Sequence, residues 1–251
     1  MRRLLLAPWA LLLALPVVGR ADDAADMKAL IEKAMKAHGG ADNLAKQQAA
    51  TFNMKGQVHV QGLDIEFKGE ISHQYPEKLR VVIEGEVMGT AFKVIQVVNG
   101  DKGWINDPQG SREMSKAELA EAREGVNANS VARLVVLRDK AYTLAPLGES
   151  KVGDKEAIGV LVQRKGYRDV SLFFDKKTFL LLKTETRVKD VQGGGDTELT
   201  QETFYDEYKK VGEVQVVHKQ TIKRDGKPYI ESEITDFKAH DKLDDSVFAK
   251  P

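Results

Sequence analysis

Five histidines, at positions 38, 59, 73, 218 and 240, are the side chains best suited to chemistry near neutral pH. None lies within four residues of another, and no H-E-x-x-H or His/carboxylate spacing suits zinc. His59 and His218 fall in strand-like runs and read as surface or edge residues. His38 ends a helical pattern, where a cationic side chain suits the carbonyl dipole. There is no cysteine, which removes a thiolate metal site, an iron–sulfur cluster, a disulfide scaffold and a Cys nucleophile. No G-x-S-x-G or Walker loop occurs. Gly193-Gly194-Gly195 precedes neither a helix pattern nor a Lys-Ser/Thr pair, so it reads as a flexible loop. Glu84, Glu86, Glu231 and Glu233 fall on the polar phase of strand patterns, where a solvated face explains them. A hydrolase would need two carboxylates facing one another in a cleft, and this phasing argues against one. No acidic loop has calcium spacing. Arg164-Lys165-Gly166-Tyr167-Arg168 is the densest basic patch, read as a soluble turn or as a contact for an anionic partner. The reading is therefore of a protein that is not an enzyme, with no metal and no cofactor.

The chain has 251 residues, with 38 Lys+Arg against 38 Asp+Glu and 42% hydrophobic residues. That composition is globular, and the balanced charge gives no footprint for nucleic acid. Residues 1–21 read as a signal peptide. Arg2 and Arg3 open it, an apolar run follows from Leu4 to Val18, and Gly19-Arg20-Ala21 supplies a small-x-small cleavage site. Two prolines and a short apolar run argue against a spanning anchor. Removing this segment takes away three arginines and no acid, which leaves residues 22–251 mildly acidic. No acceptor cysteine follows the signal, so a self-lipidated anchor is excluded. The expectation is a periplasmic or otherwise exported chain.

Elements must now hold whatever site exists. Met27, Leu30, Ile31, Ala34 and Met35 recur at helical spacing, with Lys28, Glu32, Lys33 and Lys36 opposite. Asp26, or Asp22 or Asp23 earlier, can cap this helix, and His38-Gly39-Gly40 ends it. A short helical turn is expected over Asp42–Gln48. From Thr51 the period becomes two: Phe52, Met54, Val58 and Val60, then Leu63, Ile65, Phe67 and Ile71, then Leu79, Val81 and Ile83, each alternate with polar residues. Ala91–Val98 is apolar on both faces. Asn99-Gly100-Asp101-Lys102-Gly103 is a hairpin signal into Trp104 and Ile105, and Asp107-Pro108-Gln109-Gly110 ends that strand. Ser115-Lys116-Ala117-Glu118 is a capping box. It opens a helix to about Arg123, halted by Gly125. Asn129 or Ser130 starts a second helix carrying Val131, Leu134, Val135 and Arg138. Strands return at Tyr142 and Leu144, then at 157–164, 169–174, 179–189, 198–209, 214–223 and 229–238. The expected fold is mostly β (α+β): one curved antiparallel sheet of about eleven strands, unclosed, with short helices on its concave face.

Such a sheet either fills its concavity with side chains or keeps an apolar cavity. The side chains proposed to line it are Phe67, Val81, Ile83, Phe92, Val94, Trp104, Leu172, Phe174, Phe179 and Leu182. The order of elements resembles the LolA/LolB-like family of periplasmic lipoprotein-sorting carriers. The resemblance rests on the helix ending at His38-Gly39-Gly40 before the Thr51–Gly56 strand and on the central helical excursion. It also rests on recurring phrases: Pro146-Leu147-Gly148-Glu149, Phe174-Asp175 with Thr178 and Leu180, Thr203-Phe204-Tyr205 with Tyr208, and Leu243-Asp244-Asp245-Ser246-Val247-Phe248. It implies an unclosed eleven-stranded half-barrel, helices forming a lid, and a cavity for the acyl chains of a lipoprotein in transit. It also implies an arginine on an early strand that holds the lid, for which Arg80 is the candidate. The expected partners are lipoprotein acyl chains or another lipid, with transient contacts to membrane-bound envelope proteins, and the chain is expected to be a monomer. The alternative is an interaction or sensor domain of the same fold with a filled core.

Overall fold

The computed structural model describes residues 20–60, 62–190 and 197–251. The segment 1–19, which holds most of the expected signal, lies outside the described residues, as do Gln61 and the triple glycine at 193–195. The first helix, α1 (Arg20–Ala37), begins earlier than Met27 and buries the expected stripe of Met27, Leu30, Ile31, Ala34 and Met35. It stops at a double glycine: the Gly40 amide donates to the Met35 carbonyl and the Gly39 amide to that of Lys36, the pairing that closes a helix over a left-handed residue. Gly39 has φ +117°, and a Cβ there would stand 2.2 Å from the Glu213 carbonyl oxygen. Only glycine lets this helix end come so close to a strand. α2 (Ala41–Lys46) follows.

Among the described residues, thirteen strands form one antiparallel sheet in two meanders. The first comprises β1 (Ala49–Val60), β2 (Leu63–Gln74), β3 (Lys78–Val87), β4 (Thr90–Asn99), β5 (Lys102–Asp107) and β6 (Gly110–Glu113). The second comprises β7 (Tyr142–Val152), β8 (Lys155–Arg164), β9 (Val170–Asp175), β10 (Leu181–Lys189), β11 (Glu198–Val211), β12 (Val214–Arg224) and β13 (Lys227–His240). They join where β1 pairs with β13, leaving β6 and β7 as the two edges of an unclosed sheet. The count exceeds eleven partly because Asp107–Gly110 does not end the meander: it turns the chain into β6. β7 runs past Leu144 to Val152 through an irregularity at Pro146–Gly148. β10 starts at Leu181 rather than Phe179, because Asp175 accepts from the Lys177 and Thr178 amides and holds Phe179 in a turn with φ +58°.

This topology places the middle helix. The chain leaves the sheet at one edge, β6, and re-enters at the other, β7, so the connection must cross a face. It does so as α3 (Lys116–Ala132) and a 3-10 turn, Val135–Arg138. The expected capping box forms, with the Glu118 amide donating to Ser115 Oγ at 3.2 Å and the Ser115 amide donating to Glu118 at 2.8 Å. A bidentate contact from Arg112 holds the Glu118 carboxyl down to about 2. Gly125 does not halt the helix: one continuous α3 replaces the two expected pieces. A single glycine costs a helix about 1 kcal/mol, which the capping box and tertiary packing offset.

The main core lies between α1, the end of α3 and strands β7–β10 and β12, around Leu134, Val160, Leu172 and Phe174. A second packed patch sits on the other face of the sheet. There the C-terminal 3-10 turn, Asp245–Phe248, buries Phe248 completely beside β3 and β4, whose Val82 and Val97 are also buried. Asn99 donates to the Phe248 carbonyl, and Lys78 pairs with Asp245 at 2.7 Å. The two apolar faces of Ala91–Val98 are thus both used.

A candidate apolar cavity beneath the third helix

Between α3 and the concave sheet lies a cavity of about 480 Å³, within the roughly 300–1,000 Å³ usual for small-molecule sites. Its floor comes from the inward phase of strands in both meanders: Phe52 and Met54 of β1, Ile71 of β2, Leu79 and Val81 of β3, Val216 of β12, Ile222 of β12 and Ile234 of β13. Its roof is the α3 face carrying Gly125, Ala128 and Ala132. These recur at three- and four-residue intervals and so share one side of the helix. They are small, and this is the local reason the space is not filled. Large side chains at the same positions would make an ordinary core.

The roof is tied down at one end by charge-assisted hydrogen bonds. Glu121 of α3 accepts from Arg168 Nη1 at 2.9 Å and from the Lys189 amide at 2.8 Å, and Glu124 accepts from the Arg168 amide at 3.0 Å. The basic patch at residues 164–168 is therefore engaged: Arg164 donates to Asn127, and its guanidinium lies 4.5 Å from the Tyr167 ring. At the other end Arg133 follows the last turn of α3. Its Nη2 donates to the carbonyls of Gln47 at 2.7 Å and Leu44 at 3.1 Å, and its guanidinium stacks 3.6 Å over the Tyr75 ring.

Two histidines border the cavity, and burial lowers the pKa of both. His38 is buried, donating from Nδ1 to the Ala34 carbonyl at 2.8 Å and accepting at Nε2 from the Leu181 amide at 3.4 Å. Burial lowers its pKa, so it serves the helix end as a neutral ring and not as the expected cation. Burial, with the Arg133 charge nearby, lowers His73 to about 3. His73 packs against Tyr75 with ring centroids 3.8 Å apart. Tyr205 bonds Thr184 at 3.1 Å, and Tyr208 donates to the Leu181 carbonyl at 2.8 Å. Desolvation raises both phenols, Tyr205 to about 12. The lining is thus apolar, with neutral polar groups and few charges, an arrangement suited to holding a chain rather than to moving protons. No group of three or more His, Asp or Glu that could hold a metal occurs among the described residues.

Of the ten apolar side chains proposed from sequence, the cavity lining includes Val81. Phe67, Ile83, Phe92 and Val94 lie on the same face farther along their strands. There Phe92 packs over the Gly85 backbone and Ile83 against Gly69. Leu172 and Phe174 are fully buried in the core with α1, and Phe179 packs on that core under Lys33. Leu182 is buried at an irregularity in β10. Trp104 and Arg80 lie on the opposite face: Leu79 and Val81 line the cavity on either side of Arg80, and Gly103 beside Trp104 faces the start of α3. Strand alternation then turns both outward, so Arg80 does not reach α3. The guanidinium groups that do border the cavity are those of Arg133 and Arg187. The sequence signal for this site is the small-residue face of α3, hidden when Gly125 is taken as a helix end.

No protein-family model matches the chain, and no curated protein does. Solved structures do match across nearly its whole length. A LolA superfamily protein from Nitrosomonas europaea has a TM-score of 0.59 at 14% identity, covering 89% of this chain and 97% of its own. A DUF1329 family protein from Desulfovibrio piger has a TM-score of 0.55 at 15% identity, covering 88% and 96%. A domain assigned to outer membrane lipoprotein sorting, from Vibrio parahaemolyticus, has a TM-score of 0.53 at 11% identity, covering 88% and 95%. Together with the unclosed antiparallel sheet and the helix crossing its concave face, these likenesses show that the chain has a LolA-like fold.

Proposed function

We propose that this protein is an exported, non-catalytic carrier that binds acyl chains of a lipoprotein or another lipid for transfer through the cell envelope. The observation that carries this reading is the apolar cavity of about 480 Å³ beneath α3. An acyl chain crossing water is held by burial, at roughly 0.8 kcal/mol per CH₂, and such a cavity provides it. A roof of small residues tied at its ends by a few polar contacts suits a cargo that must also leave. The likeness to a lipoprotein-sorting domain supports the same reading, as does the signal-like start at Arg2 and Arg3. No helix among the described residues is long and apolar enough to cross a membrane. The test is to purify the mature chain from its own envelope and examine it by native mass spectrometry and lipid extraction, with uptake of a fluorescent fatty acid alongside. Co-purified acyl species and saturable uptake are expected. The absence of both would refute a carrier and leave the filled-core interaction domain.

A further inference from the structure

Resting on the carrier reading, we propose that the cavity selects an acyl chain that ends in an anionic oxygen head group, a carboxylate or a phosphate, and that Arg133 is the residue that binds that head group.

Three observations carry this. First, Arg133 is a largely desolvated cation with no carboxylate paired to it among the described residues. Its Nη2 donates to two neutral carbonyls, and its flat face lies on Tyr75. A desolvated guanidinium without a counter-charge is an unusual thing to retain, and its planar fork suits an oxyanion. Second, the position is a junction. A recess of about 150 Å³ shares Leu44, Gln47, Tyr75 and Arg133 with the large cavity and adds Gln48, Ser130 and Pro76. The recess sets Gln47, Gln48 and Ser130 among apolar residues that include Ala45, Val135 and Val136, so amide and hydroxyl groups lie near Arg133 on the side away from the large space. Third, the other guanidinium on the lining is already engaged. Arg187 also borders the cavity, but its Nε lies 3.8 Å from the Glu198 carboxylate and its Nη1 donates to Thr200 at 2.8 Å, which leaves Arg133 as the lining guanidinium without a carboxylate beside it among the described residues.

The test displaces a neutral fluorescent acyl probe from the mature wild-type chain with four C16 ligands below their aggregation limits: hexadecanoate, hexadecyl phosphate, 1-hexadecanol and methyl hexadecanoate. At least one anion should bind about tenfold or more tightly than the alcohol and the ester, as one charge-assisted hydrogen bond would give. The tighter anion names the head group. Arg133→Gln should abolish that preference while leaving 1-hexadecanol affinity within about twofold. Equal affinity of all four ligands for wild type would overturn the head-group assignment and leave the carrier standing. Failure of all four to displace the probe would sink the carrier reading itself. Arg133→Gln weakening anion and alcohol alike, with unchanged circular dichroism, would reduce Arg133 to a structural tie for α2. If that variant fails to fold, Arg133→Lys and Arg187→Gln decide: the anion preference should weaken in the first and persist in the second, and the reverse would overturn the assignment to Arg133.

Discussion

His73 illustrates how burial converts a residue type suggestive of chemistry into a determinant of stability. Its pKa falls from 6.5 to about 3, through desolvation first and the neighbouring Arg133 charge second, with Tyr75 packed against the ring. The unfolded chain then binds a proton that the folded chain refuses between those values. Stability is fully present above pH 6.5 and is lost as the pH falls toward 3. His38 is shifted in the same direction by burial. Carboxylates with lowered pKa, such as Glu118 and Asp175, add their own losses only below about pH 4.5. Hence the interval from 6.5 to 4.5 belongs to histidine. Urea midpoints should be flat above pH 7 and then decline, with His73 contributing about 2–3 kcal/mol by pH 4.5. His73→Leu should remove that part of the slope. A midpoint unchanged between pH 7 and 4.5 would exclude the assignment. His73 has no partner in sequence that foretells this, because its environment is assembled from α3 and the β2–β3 turn.

At the scale of elements, strand periodicity was legible because a sheet covered on one face needs alternation of period two. The stripe of α1 and the Ser115–Glu118 box were legible for equally local reasons. What alternation does not give is height along a strand. Phe67 and Ile71 share a face of β2, yet Ile71 lies under α3 while Phe67 lies beyond it, between Gly56 and Gly85 in neighbouring strands. Nor does it announce that the outward face of β3 and β4 is covered. The C-terminal turn does that, and Phe248 is its fully buried anchor. Phe248→Ala should cost about 3–5 kcal/mol in urea unfolding. Because this patch is on the far side of the sheet from the cavity, probe affinity of the folded fraction should stay unchanged. A cost below about 1 kcal/mol would mean the turn is not part of the cooperative fold.

For the molecule as a whole, carrier and filled core differ in the use made of the space beneath α3. Ala128→Trp fills that cavity. Probe affinity should then fall at least about tenfold, with stability within about 1 kcal/mol of wild type. In a packed core the same substitution would cost about 1–3 kcal/mol or more through strain. Wild-type uptake by a folded Ala128→Trp chain would place the ligand elsewhere. The sequence by itself determined the class of fold: local periodicity, turn residues and a capping box follow from the backbone geometry of a few neighbouring residues, and their order resembled a known carrier family. It also determined that cysteine chemistry has no place here. The tertiary structure decided where the cavity lies and what borders it. The chain leaves the sheet at β6 and must re-enter at β7, so α3 is forced across the concave face, and that crossing selects which inward residues become lining. It brings Arg133 to the cavity and leaves Arg80 on the other side. Those are long-range consequences of sheet order, and no spacing between neighbouring residues encodes them.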